Sequence, residues 1–95
     1  MRQVFKYQPD IAMHLPFFDI ELPENSTFLK VAMQHGKVTF WFEVDPKAAI
    51  TTRSFAIVPT GSHVPQAIDG RAEFLETVFD GIFVWHMYEG VETRQ

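Results

Sequence analysis

The segment Phe28 to Val44, FLKVAMQHGKVTFWFEV, most constrains the fold because it reads as one β-hairpin around Gly36. With Gly36-Lys37 as a two-residue turn, glycine stands first, as a type II′ turn prefers. A turn at His35-Gly36 would slide the partners by two residues and keep the same faces. Since side chains alternate along a strand, one face is almost wholly apolar, and the other carries opposite charges and Trp41. Besides His35, the apolar face comprises Leu29, Val31, Met33, Val38, Phe40, Phe42 and Val44.

A second hairpin is predicted from Ala72 to Tyr88, because Asp80-Gly81 is the strongest two-residue turn pattern in the chain. This turn pairs Phe79 with Ile82 and leaves both faces of the hairpin largely apolar. A hairpin on the outside of a small monomer should have one polar face. Either this hairpin lies in the middle of a sandwich or its second face meets another subunit. We favour the second option, since 95 residues can hardly cover two full sheets. The sequence therefore predicts a homo-oligomer.

Three further segments have the composition of strands, namely Val4–Tyr7, Phe17–Leu22 and Arg53–Pro59. The connections are predicted at 10–16, 23–26, 47–52 and 60–70. The segment 47–52 could form one short helical turn, and 60–70 has room for a short helix after Pro65. The polar tail 90–95 is expected to be frayed. Together these patterns predict one all-β domain over residues 1–95. The expected architecture is a small antiparallel β-sandwich or barrel of about six to seven strands built on two hairpins.

Composition limits the partners that the chain can have. The formal charge is −4 and no run of lysine or arginine occurs, which argues against binding extended nucleic acid. Cysteine is absent, so disulfide and thiolate chemistry are excluded, as suits a reducing cytosol. The N-terminal residues lack the apolar run of a signal peptide, and no stretch approaches the ~20 apolar residues of a membrane helix. The sequence predicts a cytoplasmic protein without membrane contact.

The best candidate site is the loop Thr60-Gly61-Ser62-His63, which follows a buried strand and offers two hydroxyls and an imidazole. Successive free N–H groups in such a turn can form an anion-binding nest. The alternative is an ordinary polar turn with a solvated histidine. Ser62 and His63 are adjacent and would point apart, which makes them a poor nucleophile and base pair.

Aromatic residues suggest a second part of the site. Trp41 and Trp85 each fall on the less apolar face of a hairpin, where an exposed indole can stack on a base or anchor a partner. The alternative is packing between sheets or subunits. Tyr7, Trp41 and Arg53 would form an aromatic and cationic pocket for a nucleotide if the fold brought them together.

Motifs for metal or covalent chemistry are missing from the sequence. The four histidines show no H-x-H or H-x₃-H spacing, and no Walker A, G-x-G-x-x-G or G-x-S-x-G motif occurs. The paired carboxylates are scattered over separate elements and read as solvated surface. We therefore expect no metal, no cofactor and no enzymatic activity, and a phosphodiester hydrolase using His63 and His86 is the least favoured hypothesis.

The chain resembles a family of short phage and prophage proteins of unknown function. The matching segments are Val4–Tyr7, Ile20–Pro23, Val31–Gly36, Phe40-Trp41, Val44–Pro46 and Phe55–His63, followed by Gly81, Val84, His86 and Glu89. Ser62 is a departure, since members often run Thr-Gly-His directly. The resemblance implies a phage context.

A looser analogy is to small oligomeric phage proteins that sequester the nucleotide signals of bacterial immunity. It leads to the expectation of a non-catalytic protein that self-associates and binds a small anionic ligand such as a nucleotide. The alternative expectation is a protein–protein interaction module that inhibits a host factor through an apolar patch.

Overall fold

A computed structural model of the chain describes residues 1–11, 17–64 and 72–90, and within these ranges the protein is all-β with seven antiparallel strands. The strands are β1 Gln3–Tyr7, β2 Phe17–Pro23, β3 Thr27–Gln34, β4 Lys37–Val44, β5 Ile50–Pro59, β6 Glu73–Asp80 and β7 Phe83–Glu89. They form a three-stranded sheet in the order β1-β4-β3 and a four-stranded sheet in the order β2-β5-β7-β6. The predicted all-β fold is confirmed.

The core lies between the two sheets. It is built mainly from the inward residues of β2, β4 and β5, with one residue each from β3, β6 and β7. Alternation along each strand sets the buried face. Phenylalanines dominate it, and the rings of Phe40, Phe42 and Phe55 lie within 6.2 Å of one another, centroid to centroid. All three are fully buried. Six of the ten phenylalanines lie in this core or pack against it.

The first hairpin has its turn at His35-Gly36, because Gln34 pairs with Lys37 and Met33 with Val38. Both turn residues have positive φ, 53° and 77°, as a type I′ turn requires. The preferred Gly36-Lys37 register was wrong by two residues, whereas the alternative turn and the assigned faces are confirmed for β4.

A β-bulge at Leu29 changes one face assignment in β3. Phe28 pairs with Phe42 and Lys30 with Trp41, so Leu29 is an extra residue in the ladder. Phe28 consequently packs on the core, while Leu29 is 47% exposed. The prediction that Leu29 faces the core was wrong, because the bulge shifts the alternation by one residue.

The second hairpin turns at Gly81-Ile82, one residue later than expected. Asp80 pairs with Phe83, and Gly81 has φ 62° at the first turn position, the pattern of a type II′ turn. The Phe79–Ile82 pairing was therefore wrong, although the two faces are as assigned near the turn. A bulge at Leu75 moves Phe74 to the outer face, opposite Tyr88.

Two differences in extent remain. Strand β5 begins at Ile50, so the expected connection over 47–52, with its helical turn, was wrong beyond residue 49. Asp45 and Ala48 close a turn there through a backbone hydrogen bond of 3.0 Å. The expectations for 12–16, for a helix after Pro65 and for the tail 91–95 lie outside the described residues. Among the described residues, no helix has the length and apolarity needed to cross a membrane.

Candidate functional site

Trp41 lies on the outer face of the three-stranded sheet, because its neighbours Phe40 and Phe42 point into the core. On the central strand β4 it is paired with Lys6 of β1 on one side and Lys30 of β3 on the other. The indole is partly exposed. The register therefore places an accessible aromatic ring between two lysines, in one row across the sheet.

Further charged side chains share this surface. Its charged residues are Arg2, Lys6, Lys30, Lys37 and Glu43. We call this surface, together with Trp41, the cationic face. It carries four of the eight lysines and arginines in a chain whose formal charge is −4. Within the described residues, positive charge is thus gathered on one side of an acidic protein, where it attracts anions.

The cations of this face differ in how far their charge is compensated. Arg2 pairs with Glu43 at 3.3 Å, and Lys30 pairs with Glu76 of β6 at 2.8 Å. The Lys6 ammonium instead donates to the neutral amide oxygen of Gln34 at 3.0 Å. Lys37 has no acidic partner within the described ranges. Lys6 and Lys37 are therefore the cations best able to meet a ligand.

A cleft of about 230 Å³ lies beside Lys37, at the end of the sheet that holds the His35-Gly36 turn. It is lined by Gln8 to Ile11, which include the acidic Asp10, and by Gly36 to Val38. Gln8 is fixed there by a hydrogen bond of 3.0 Å to the buried Thr39 hydroxyl. The cleft extends the cationic face with a polar concavity.

Arg53 lies between the sheets. Its Nε and one terminal nitrogen donate to the two Glu89 carboxylate oxygens at 2.6 and 2.8 Å, and the other terminal nitrogen donates to the Ser26 carbonyl at 2.6 Å. The guanidinium also covers the Phe42 ring, 5.2 Å from its centroid. These contacts tie β5 and β7 to the other sheet and occupy the groups that would bind a phosphate.

Tyr7 also faces the interior, where its ring packs edge-on against Phe42 at 5.9 Å. Burial raises the pKa of the Tyr7 phenol above its ordinary value of 10.0. Because Tyr7 and Arg53 point inward and Trp41 outward, the fold does not bring them together in the expected pocket.

The loop Thr60-Gly61-Ser62-His63 is exposed, and Gly61 adopts φ 94°, a conformation that suits glycine. The N–H of Thr60 donates to the Val84 carbonyl at 3.1 Å, and that of Ser62 to the Pro59 carbonyl at 3.0 Å. Two of the four N–H groups of the expected nest are thus engaged within the protein, which weakens its case as an anion site.

His86 contacts this loop through Thr60. Its Nε2 lies 2.8 Å from the Thr60 hydroxyl, and its Nδ1 lies 2.9 Å from the Thr77 hydroxyl. The Thr60 hydroxyl donates its proton to the Val84 carbonyl at 3.4 Å, so it accepts a hydrogen bond from the Nε2–H of His86. The Nδ1 atom then accepts from the Thr77 hydroxyl. Both ring nitrogens are therefore satisfied, and His86 joins three strands of one sheet.

Trp85 faces the core and is partly buried, with its ring edge-on to Phe83 at 6.1 Å. Its indole nitrogen is buried and has no hydrogen-bond partner among the described residues. Trp85 therefore packs between the sheets, which the sequence left open as the alternative to stacking on a base.

Part of the outer face of the four-stranded sheet is apolar and aromatic. One row crosses all four strands, from Phe17 through Ala56 and Tyr88 to Phe74. Phe79 of β6 adds a third phenylalanine, and Phe17, Phe74 and Phe79 are 41%, 52% and 71% exposed. We call this surface, with His86 near its centre, the aromatic face. On the second hairpin, this face presents the exposed rings of Phe74 and Phe79.

The residues that sequence reasoning missed are Lys6, Lys30 and Lys37 beside Trp41, and Thr77 beside His86. The pairing of β1 with β4 brings Lys6 to Trp41, and no local pattern indicates that pairing. Lys30 and Thr77 reach their neighbours within the two hairpins, but neither was singled out as part of a site. Within the described ranges, no group of three or more histidine, cysteine or acidic side chains is arranged to hold a metal ion.

Comparison with known proteins gives one match. No curated protein and no solved structure matches the chain. A model for a domain of unknown function, DUF7352, matches residues 1–95, the full length of the sequence. The chain therefore belongs to the DUF7352 family, whose description assigns no activity.

Proposed function

We propose that this protein is a non-catalytic binding protein that self-associates and sequesters a small anionic ligand. The observation that carries the proposal is the aromatic face, which leaves Phe74 and Phe79 more than half exposed. Apolar patches of this kind mark interaction surfaces in soluble proteins. The partner that we favour is a second copy of the chain.

The aromatic face supplies the apolar centre of such an interface. At roughly 200 Å² for a fully exposed phenylalanine, Phe17, Phe74 and Phe79 leave about 330 Å² of apolar surface, or about 660 Å² on two copies. The neighbouring strand surface would supply the rest of the ~1,200–2,000 Å² that a stable dimer buries. His86 does not oppose burial, because both of its nitrogens are already hydrogen-bonded.

Sedimentation velocity tests self-association. At tens of micromolar we expect a dimer or larger species for the wild type and a monomer for Phe74→Thr/Phe79→Thr. The matched control is Val4→Thr, which replaces an exposed apolar residue on the opposite sheet. A wild type that stays monomeric at this concentration contradicts self-association.

The ligand half of the proposal rests on the gathering of positive charge on the cationic face. The resemblance to phage proteins adds that the ligand is a nucleotide signal, bound in the host cytoplasm as a form of anti-defence. Calorimetry against ATP, ADP-ribose and cyclic di-AMP tests it. Absence of heat and of any thermal shift with all three would remove this half of the proposal.

A second candidate is a module that inhibits a host protein through the same aromatic face. It predicts a stable complex with one host factor that Phe79→Thr abolishes and His63→Gln leaves intact. A wild type that sediments as a dimer with its aromatic face covered argues against this candidate.

A further inference from the structure

We propose that the cationic face binds the nucleotide, with Trp41 stacking on the base and Lys6 and Lys37 contacting the phosphates. This inference rests on the proposed function and names its site. It replaces the Thr60–His63 loop, in which the Thr60 hydroxyl and two N–H groups are engaged internally.

Trp41 has the position that stacking requires. A base needs an open indole face, and Trp41 lies on the central strand of a sheet surface with its ring partly exposed. The residues on either side of it in sequence, Phe40 and Phe42, are fully buried. Trp41 belongs neither to the core cluster nor to the residues packed against it, so the core does not account for an aromatic residue there.

The two uncompensated cations frame this ring. Lys6 is the direct cross-strand neighbour of Trp41, and Gln34 holds its ammonium over the sheet. Lys37 lies on β4, four residues before Trp41 and therefore about 13 Å from it at ~3.3 Å per residue. It borders the polar cleft. A ligand stacked on Trp41 with phosphates directed along β4 would therefore meet positive charge near its base and again toward the cleft.

The dimensions of the face favour a mononucleotide or dinucleotide over an extended strand. Three strands span about 10 Å, at ~4.8 Å between neighbours. Two of its cations have no acidic partner among the described residues, and two such charges would hold a long polyanion weakly at physiological salt. The ligand class is thus a compact aromatic phosphate.

Tryptophan fluorescence provides the experiment. The chain has two tryptophans, so Trp85→Phe leaves Trp41 as the only indole. Titration of this variant with ATP, ADP-ribose and cyclic di-AMP should quench Trp41 saturably for at least one of them. Adenosine keeps the base without the phosphates, and inorganic triphosphate keeps the phosphates without the base. Each should bind at least tenfold more weakly than the nucleotide that quenches Trp41.

Calorimetry on variants with an otherwise unchanged chain tests the roles of the individual residues. Trp41→Thr keeps a strand-forming residue and should weaken Kd about tenfold or more, because it removes the stack. Lys6→Gln and Lys37→Gln should each weaken Kd several-fold, and the loss should shrink at high salt. The matched control, Lys47→Gln, changes the same charge in the turn after β4 and should leave Kd unchanged. Urea midpoints equal to wild type show that each variant folds.

The outcomes separate this inference from the proposed function. Loss of binding in His63→Gln with wild-type affinity in Trp41→Thr would overturn the site and keep the function. Tighter binding of a dT₁₀ oligonucleotide than of any nucleotide would overturn the ligand class. Absence of binding by every probe would overturn both the site and the ligand half of the function.

Discussion

Replacement of Arg53 by alanine should be among the most destabilising single changes in this protein. The guanidinium makes three hydrogen bonds of 2.6 to 2.8 Å, two to Glu89 and one to the Ser26 carbonyl. The Arg53 and Glu89 side chains are only 23% and 16% exposed. Removing one member of such a pair leaves a carboxylate and a carbonyl without partners in a poorly solvated place.

Breaking a buried ion pair costs ~3–5 kcal/mol, and partial exposure places this one near the lower end. We therefore expect Arg53→Ala to lower the free energy of unfolding by about 3 kcal/mol. For a domain of this size, that loss lowers Tm by roughly 12–24 °C. It also removes a large part of the ~5–15 kcal/mol that holds a typical domain together.

Urea unfolding followed by fluorescence and circular dichroism measures the loss. Arg2→Ala is the matched control, because the Arg2–Glu43 pair is 3.3 Å long with side chains 37% and 43% exposed. It should cost less than ~1 kcal/mol. A cycle of Arg53→Met, Glu89→Leu and their double variant should show a coupling above ~1 kcal/mol. Equal losses in Arg53→Ala and Arg2→Ala, or no coupling, would refute the reasoning.

Three further predictions follow from the hairpins and the contact between β3 and β6. Phe28→Ala should lower the free energy of unfolding by about 3 kcal/mol, and Leu29→Ala by less than ~1 kcal/mol. The reason is that the bulge packs Phe28 on the core and exposes Leu29. Equal losses in urea unfolding would contradict the bulge. Gly36→Ala should lower the free energy of unfolding by ~1–2 kcal/mol, measured by thermal unfolding. The loss should come from backbone strain alone, because φ is +77° and the added carbon has no atom within 4 Å apart from its neighbours in the chain. Burial raises the pKa of Glu76, but hydrogen bonds from Lys30 and a β3 N–H and the Lys30 charge bring it below its ordinary 4.5. The contribution of Glu76 to the free energy of unfolding is thus fully present above about pH 4.5 and is lost as the pH falls through the pKa of the folded state. In urea unfolding, the stability difference between wild type and Glu76→Gln should therefore shrink toward pH 3. A difference that stays constant would contradict this.

The sequence by itself determined the class of fold and the two hairpins. Alternation of apolar residues along Lys37–Val44 leaves one buried face in any register, which is why Phe40, Phe42 and Val44 were placed correctly in the core. Gly36 and Gly81 each lie in a turn with positive φ, because glycine adopts that conformation at little cost. These are local properties that neighbouring residues set.

The exact registers and the bulges were not readable from local patterns. A shift of two residues preserves every face, so turn residues alone do not distinguish Gly36-Lys37 from His35-Gly36. The bulges at Leu29 and Leu75 add one residue to one strand of each hairpin. They depend on how β3 and β6 meet at the side of the sandwich, where Glu76 accepts from the Val31 N–H at 3.0 Å.

Only the tertiary structure decided which functional groups are neighbours. Lys6 is 35 residues from Trp41, and the Arg53–Glu89 pair spans 36 residues. Pairing between distant strands is selected by the packing of whole sheets, which no short segment encodes. The chain thus fixed locally that Trp41 faces outward, while the assembled sheets placed it between lysines and turned Tyr7 and Arg53 into the core.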